Sequence, residues 1–383
     1  MKRIGMILLA AVLLLAVLPA SAQAVGPEIR GKSAVLMDVA TGTVLFEHNA
    51  HEPLAPASVT KVMTMLLIME AIDSGAIKWE DTVTASEAAA AKGGSQIFLK
   101  VGETMTVSDM VKSIAVSSAN DCACAMAEHI AGSEAGFVER MNARAQELGM
   151  KDTNFVNCTG LDDGPDAQNH RTSAYDIALM SRELLKNHPD IKQYTTIWMD
   201  TVRDGAFGLA NTNKMVRFYP GCTGLKTGFT SGAGYCLSSS AARDGMELIA
   251  VVMGSETSQD RFAACKGMLD FGFANFALYT PALTEGISVP VTLGTSPSVA
   301  LMPDFEGAIL TEKSKLAGIT ADIQAEPSAA APIEQGEQLG MMTIRSGDQV
   351  LSEIPLIAAQ AVPKLTWGQI FLKILGRISM ATQ

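Results

Sequence analysis

Two periods of apolar residues alternate along the chain, and the change from one to the other marks its parts. Residues 33–49, SAVLMDVATGTVLFEHN, are two apolar-rich runs around Ala40-Thr41-Gly42, which predicts a β-hairpin. Directly afterwards the period lengthens. Val62, Met65, Leu66 and Met69 recur at helical spacing, predicting a helix from Ala57 to about Ile72 that Ser74-Gly75 ends. Further helical runs cover about 107–131 and 134–148. The stretch GYCLSSSAARDGMELIAVVMG then reads as strand, Asp244-Gly245 turn, strand. Strands at both ends of this region with helices between them predict an α/β (α+β) domain: one antiparallel sheet, closed by bringing the two ends together and flanked by helices.

Near residue 281 the helical period disappears. Up to about 360, short alternating pieces (ISVPVTLG, LGMMTIRSG, LSEIPLIA) are separated by Gly, Pro and acidic residues, the pattern of a small all-β domain, with QAEPSAAAPIEQGEQ as a loop within it. The tail, VPKLTWGQIFLKILGRISMATQ, returns to helix. Trp367, Ile370, Phe371, Ile374, Leu375 and Ile378 share one face, and its charges, Lys364, Lys373 and Arg377, are all positive. That pattern suits a helix lying in a membrane interface; the alternative is a helix docked on the protein's own body. The other end, MKRIGMILLAAVLLLAVLPASAQA, reads as a secretory signal peptide, with two basic residues, an apolar stretch and small residues for cleavage. No cysteine follows for lipidation, and proline and small residues end the run too early for a spanning helix. The expected organisation is 1–24 signal peptide, 25–280 catalytic-type domain, 281–362 β domain and 363–383 anchoring helix, in an extracytoplasmic protein.

Composition narrows the function. A net charge of −11 argues against nucleic acid, which demands basic patches. The six cysteines (Cys122, Cys124, Cys158, Cys222, Cys236 and Cys265) are even in number, as disulfides require, but a chain of this size does not need bridges, and free buried thiols fit equally. No cysteine pair has zinc-ribbon spacing, and none of the five histidines forms an HExxH or similar pair, so neither a metal nor an organic cofactor is expected.

Candidate chemistry begins at PASVTK, residues 56–61. Ser58 and Lys61 fall three residues apart at a helix start, on one face, where outward N–H groups favour negative charge. Alone the spacing means little, since roughly one or two such matches arise by chance in a chain this long. A lysine takes the serine proton only when neutral. Lowering its pKa to about 7 costs roughly 4 kcal/mol, to be supplied by burial and a second nearby cation. Lys226-Thr227-Gly228, in GLKTGFTSGAGYCL, offers that cation, a hydroxyl for an anionic substrate end, and a glycine against which a substrate backbone can lie. Between the two, VSSANDCA places Ser118 and Asn120 in an SxN motif between helical runs, where a hydroxyl and a carboxamide can relay a proton and hold a substrate amide.

SxxK, SxN and KTG in this order and spacing are the signature of the active-site-serine penicillin-recognising enzymes. The sequence resembles the low-molecular-mass penicillin-binding proteins that act as D-alanyl-D-alanine carboxypeptidases, over nearly the whole mature chain. The resemblance implies a serine-peptidase domain, a β-sandwich domain and a membrane-surface anchor. Carried over by position, Ser58 would be the nucleophile and Lys61 the general base. Ser118 and Asn120 would complete the proton relay, while Lys226 and Thr227 would bind the terminal carboxylate beside Gly228. The backbone N–H groups of Ser58 and Phe229 would form the oxyanion hole, each worth about 3–4 kcal/mol. Family members often carry a polar residue where this chain has Phe229. Arg261 matches an arginine that helps hold the substrate carboxylate; a surface ion pair is the other reading. The implied partners are peptidoglycan stem peptides, β-lactams as inhibitors, and the outer face of the cytoplasmic membrane through residues 363–383.

Three rivals stand beside this. A class A β-lactamase would need a deacylating glutamate, and no ExxLN segment lies between Asn120 and Lys226. A D,D-endopeptidase is chemically close. A catalytically inactive wall-binding scaffold would share the fold without the chemistry.

Overall fold

The computed structural model describes residues 26–282 and 286–380, with side chains up to residue 374; the signal-peptide segment 1–24 lies outside the described residues. The first hairpin is β1 (Ser33–Asp38) and β2 (Val44–His48), and the last is β4 (Gly234–Arg243) and β5 (Met246–Ser255), preceded by β3 (Cys222–Thr230). They form one antiparallel sheet in the order β2-β1-β5-β4-β3, so the two ends of the domain meet where β1 pairs β5 in the centre. That is the expected closure. β3, which carries Lys226 and Thr227, is left at the open edge.

Both faces of the sheet are covered. On β1, Val35 and Met37 face one core while Ala34 and Leu36 face the other; on β5, Ile249 and Val251 oppose Leu248 and Ala250. This explains why β5 reads as an unbroken apolar run instead of an alternation. Helix α6 (Ser258–Asn275), whose N-cap Thr257 accepts the Asp260 N–H, packs on the second face. The first face carries the larger helical layer: α1 (Lys61–Asp73), α2 (Val107–Ser117), α3 (Asn120–Ala131), α4 (Glu134–Glu147) and α5 (Ala174–Asn187).

Two helical expectations change in detail. The run expected over 107–131 is two helices, because Ser118 adopts a left-handed conformation, φ 63°, and breaks it. The segment from Ala57 opens with a single 3₁₀ turn, Ala57–Thr60, before α1 begins at Lys61. Nor is α1 amphipathic: every residue from Lys61 to Met69 is buried, Met63, Leu67 and Ile68 as well as the expected stripe. It is the central helix of the layer, apolar all round because it is covered all round.

After α6 the chain leaves as β6 (Phe276–Tyr279), which pairs antiparallel with β9 (Ile309–Glu312) and ties the second domain to the first. Lys313 Nζ strengthens that join by donating to the Phe273 carbonyl. The β-sandwich itself comprises β7 (Ser288–Thr292), β8 (Ser298–Pro303), β10 (Ile319–Ala325), β11 (Gln338–Ser346) and β12 (Gln349–Ala358), with Ala329–Ala330 added at an edge. Val289, Val299, Leu301, Met342, Ile344, Ile354 and Leu356 fill it. Its backbone bonds run on to Leu365, which donates to Leu293 O. Helix α7 (Trp367–Met380) follows, with Trp367 87% and Phe371 62% exposed. Leu372 and Ile374 are exposed as well, while Ile370 is half-buried. Among the described residues, no helix is long and apolar enough to cross a membrane.

Candidate active site

Ser58 sits in a turn that the chain makes under constraint. Ala57, just before it, is held at φ +49°, a left-handed conformation that costs a non-glycine residue about 1–2 kcal/mol. Gly160 presses on the same point: a Cβ there would lie 1.8 Å from Ala57 O, so nothing larger fits. From the other side β3 closes in, and a Cβ on Gly228 would fall 2.7 Å from Pro56 O and 3.1 Å from Ser58 N. Ser58 is thus wedged between two glycines, with its side chain half-exposed at the cleft mouth.

Lys61 begins the buried helix α1 and is 0% exposed. Its Nζ lies 3.0 Å from Ser58 Oγ and donates to Thr159 O at 2.8 Å. Burial lowers this amine to about 7, against the opposing pull of Cys158 and Asp121. The second cation expected to depress it is not among the causes: burial alone lowers it. The charge effect falls instead on Lys226, which is pushed well below the ordinary lysine range by burial first, then by the charges of Lys61 and Arg261. Near neutral pH, then, a large fraction of Lys61 is uncharged, with a hydrogen for Thr159 O and a lone pair for the Ser58 hydroxyl.

The SxN turn flanks this pair. Asn120 Nδ2 donates to Gly93 O, and its backbone N–H to Ser95 O. The next residue, buried Asp121, accepts the N–H groups of Ile97 and Leu99, so the start of α3 organises the whole 93–99 segment. Ser118 Oγ and Asn120 Oδ1 are buried with no partner among the described residues. Buried polar atoms are rarely left so, except where a ligand completes them. Lys226 Nζ donates to Thr227 O, and Thr227 Oγ1 to Thr212 Oγ1, while Thr212 N–H reaches Val116 O near the SxN turn. As the edge strand of the sheet, β3 turns every second amide along it to the open side, where an extended peptide can add as a strand.

The remaining two candidates lie differently. Phe229 is 53% exposed and stacks on Tyr235, ring centroids 4.3 Å apart. Arg261 is buried, not on the surface, and makes no ion pair among the described residues; its Nη1 donates to Gly228 O at 2.8 Å and Cys236 O at 3.2 Å, bracing β3 from behind, while Nε is unpartnered.

Sequence reasoning missed the segment that receives Lys61. Asn157 Oδ1 accepts the Thr159 and Gly160 N–H groups in a side-chain turn that presents Thr159 O. The signal was there in NCTG, an Asn with a Gly three residues on; Thr212 left none. A cavity of about 870 Å³ lies beside this segment, lined by Gly93, Thr159, Leu161 and residues 163–169, without Ser58. All six cysteines are free; burial pushes Cys236 and Cys265 up, and the contact with Cys124, then burial, does the same to Cys158, so these are inert core thiols. Glu70, Glu183 and His188 bring three possible metal ligands together, but Arg144 already binds both glutamates, at 2.7 and 2.6 Å, far from the cleft chemistry.

A half-exposed serine, a buried amine at hydrogen-bond distance and an open strand edge make a site for serine acyl transfer. The comparisons agree. Residues 20–257 match the family model of D-alanyl-D-alanine carboxypeptidase, and residues 284–364 that of the penicillin-binding protein 5 C-terminal domain. The chain is 44% identical over 352 residues to D-alanyl-D-alanine carboxypeptidase DacF of Bacillus subtilis, covering 90% of this chain and 89% of that one. Penicillin binding protein 5 from Haemophilus influenzae superimposes with a TM-score of 0.77 at 31% identity, over 89% of this chain and 99% of that one. The ampicillin-bound form of penicillin-binding protein D2 from Listeria monocytogenes matches 64% of this chain and 98% of its own, with TM-score 0.58 and 30% identity. The chain belongs to the D-alanyl-D-alanine carboxypeptidase family of serine peptidases.

Proposed function

We propose that the protein removes the terminal D-alanine from peptidoglycan stem pentapeptides through an acyl-enzyme on Ser58. The observation that carries this is the Lys61 amine, lowered to about 7 and 3.0 Å from Ser58 Oγ. Neutral Lys61 takes the hydroxyl proton as Ser58 Oγ attacks the penultimate D-alanine carbonyl, and the oxyanion forms between the N–H groups of Ser58 and Phe229. Ser118 passes a proton to the departing amine, which leaves as D-alanine, and Asn120 Oδ1 holds a substrate amide. Water then resolves the ester.

The same electrostatics bear on substrate binding. In the empty site Lys226 resists protonation because it is buried beside two other cationic groups. A substrate carboxylate at Lys226 and Thr227 supplies a counter-charge, so its binding favours the protonated form of Lys226 and the ion pair that holds it. Arg261, behind Gly228, adds positive potential and holds the strand to which the substrate pairs.

In this reading residues 1–24 direct export, 25–280 form the catalytic domain, 281–362 the β-sandwich, and 363–383 hold the enzyme on the outer face of the cytoplasmic membrane. The exposed Trp367 and Phe371 support the last point. β-Lactams enter as substrate mimics whose ester water resolves slowly. Incubation with a fluorescent penicillin and with a peptide ending in D-Ala-D-Ala tests the proposal. The protein should become labelled and release D-alanine, and Ser58→Ala should do neither. Release without a Ser58 adduct, or cleavage restricted to cross-linked D-alanyl peptides, would overturn the assignment.

A further inference from the structure

His170 is buried behind the Ser58 turn, bonded to Thr60 and Val156, and its hydrogen bonds fix its tautomer. Its Nδ1 accepts the Val156 N–H at 3.1 Å, so the ring hydrogen is on Nε2. Nε2 lies 2.8 Å from Thr60 Oγ1, which therefore accepts from it. The Thr60 hydroxyl donates in turn to Ala57 O at 2.8 Å. Burial, and then the charge of Lys61, lower the imidazole to about 4, so it stays neutral through the physiological range and the direction of the chain is fixed. An edge-on contact with Phe155, centroids 5.7 Å apart, holds the ring in place.

The chain of bonds ends on a particular peptide. Ala57 C=O and Ser58 N–H belong to one planar unit, so a donor held on the carbonyl sets where the N–H on the opposite side points. It also polarises that N–H, as successive hydrogen bonds in a chain do. The strained φ of Ala57 needs such a hold, and Gly160 leaves room for it.

We propose that His170 and Thr60 are positioning residues for the oxyanion donor, a relay from His170 Nε2–H through the Thr60 hydroxyl and the Ala57 carbonyl to Ser58 N–H. The inference rests on the acyl-transfer reading above. Neither residue touches substrate; both act on the rate of bond formation and not on ligand affinity.

The test is stopped-flow acylation of the full chain by a fluorescent penicillin, resolving the limiting rate from the half-saturating concentration, with final labelling stoichiometry as a check on folding. Loss of a whole oxyanion donor costs about 10²–10³-fold, so weakening one should cost about 10- to 100-fold. Thr60→Val and His170→Phe should each lower the limiting rate by that factor at near-unchanged half-saturation. The double variant should be no slower than the worse single one, since both break one chain. His170→Gln, which keeps a donor for Thr60 and an acceptor for Val156, should recover to within about fivefold of wild type. Single variants that label within twofold of the wild-type rate, effects that multiply in the double variant, or losses confined to half-saturation would each overturn the relay. A wild-type chain that takes no label would overturn the acyl-transfer reading, and the relay with it.

Discussion

Helices α1 and α7 look alike on paper and end in opposite surroundings. Each is rich in Leu and Ile, carries lysine, and shows apolar residues at helical spacing. α1 is covered on every side, so Lys61 loses its hydration and its pKa falls to about 7. α7 leaves Trp367, Phe371, Leu372 and Ile374 in the open, beside an exposed Lys373. The same residue type is thus stripped of water in one helix and open to solvent in the other. What separates them is whether the protein itself covers the helix, and periodicity does not report that.

The contrast is most open to attack at Lys61. Lys61→Met should keep the helix buried and lower acylation and D-alanine release by at least ~10³-fold, toward the upper range for losing a general base. The same variant carries a stability signature. An amine whose folded pKa lies below its unfolded value of 10.5 binds fewer protons when folded, so wild-type stability should rise with pH from about 7 toward 10. Between pH 7 and 9 that rise is about 2 kcal/mol for this group, read from urea midpoints, and Lys61→Met should lack it. An equal slope in both proteins would mean Lys61 is not perturbed by its burial.

Removing residues 367–383 probes the other helix. The cut spares the Leu365 N–H to Leu293 O bond, so the β-sandwich keeps its last pairing. Soluble D-alanine release should stay within twofold. Vesicle binding should fall most on anionic lipid, by roughly 30-fold, since each of the two basic residues removed, Lys373 and Arg377, contributes about 1 kcal/mol near such a surface. Undiminished co-sedimentation with phosphatidylglycerol vesicles would remove the membrane role from α7.

The smallest effect belongs to Phe229. Its ring lies on Tyr235 and its assigned part in catalysis is a backbone N–H, so Phe229→Ala should change acylation by about threefold or less. A 100-fold loss would show that the aromatic side chain itself carries substrate binding.

Much of this protein was legible from pattern alone. The hairpins, their antiparallel closure, the β domain and the tail helix followed from period and turn residues, because local hydrogen bonding and burial on one or two faces impose those periods. The triad of motifs marked Ser58, Lys61, Ser118, Asn120, Lys226 and Thr227 by residue type and spacing. Tertiary structure alone decided the rest. It broke the 107–131 run at Ser118, put Arg261 behind β3, and brought Thr159 and Thr212 to the site from segments with weak signals or none. It also made burial, not a neighbouring cation, the cause of the Lys61 shift. The reason is physical: a spacing in sequence states which groups share a face, whereas a pKa and an oxyanion geometry depend on every atom that excludes water around them.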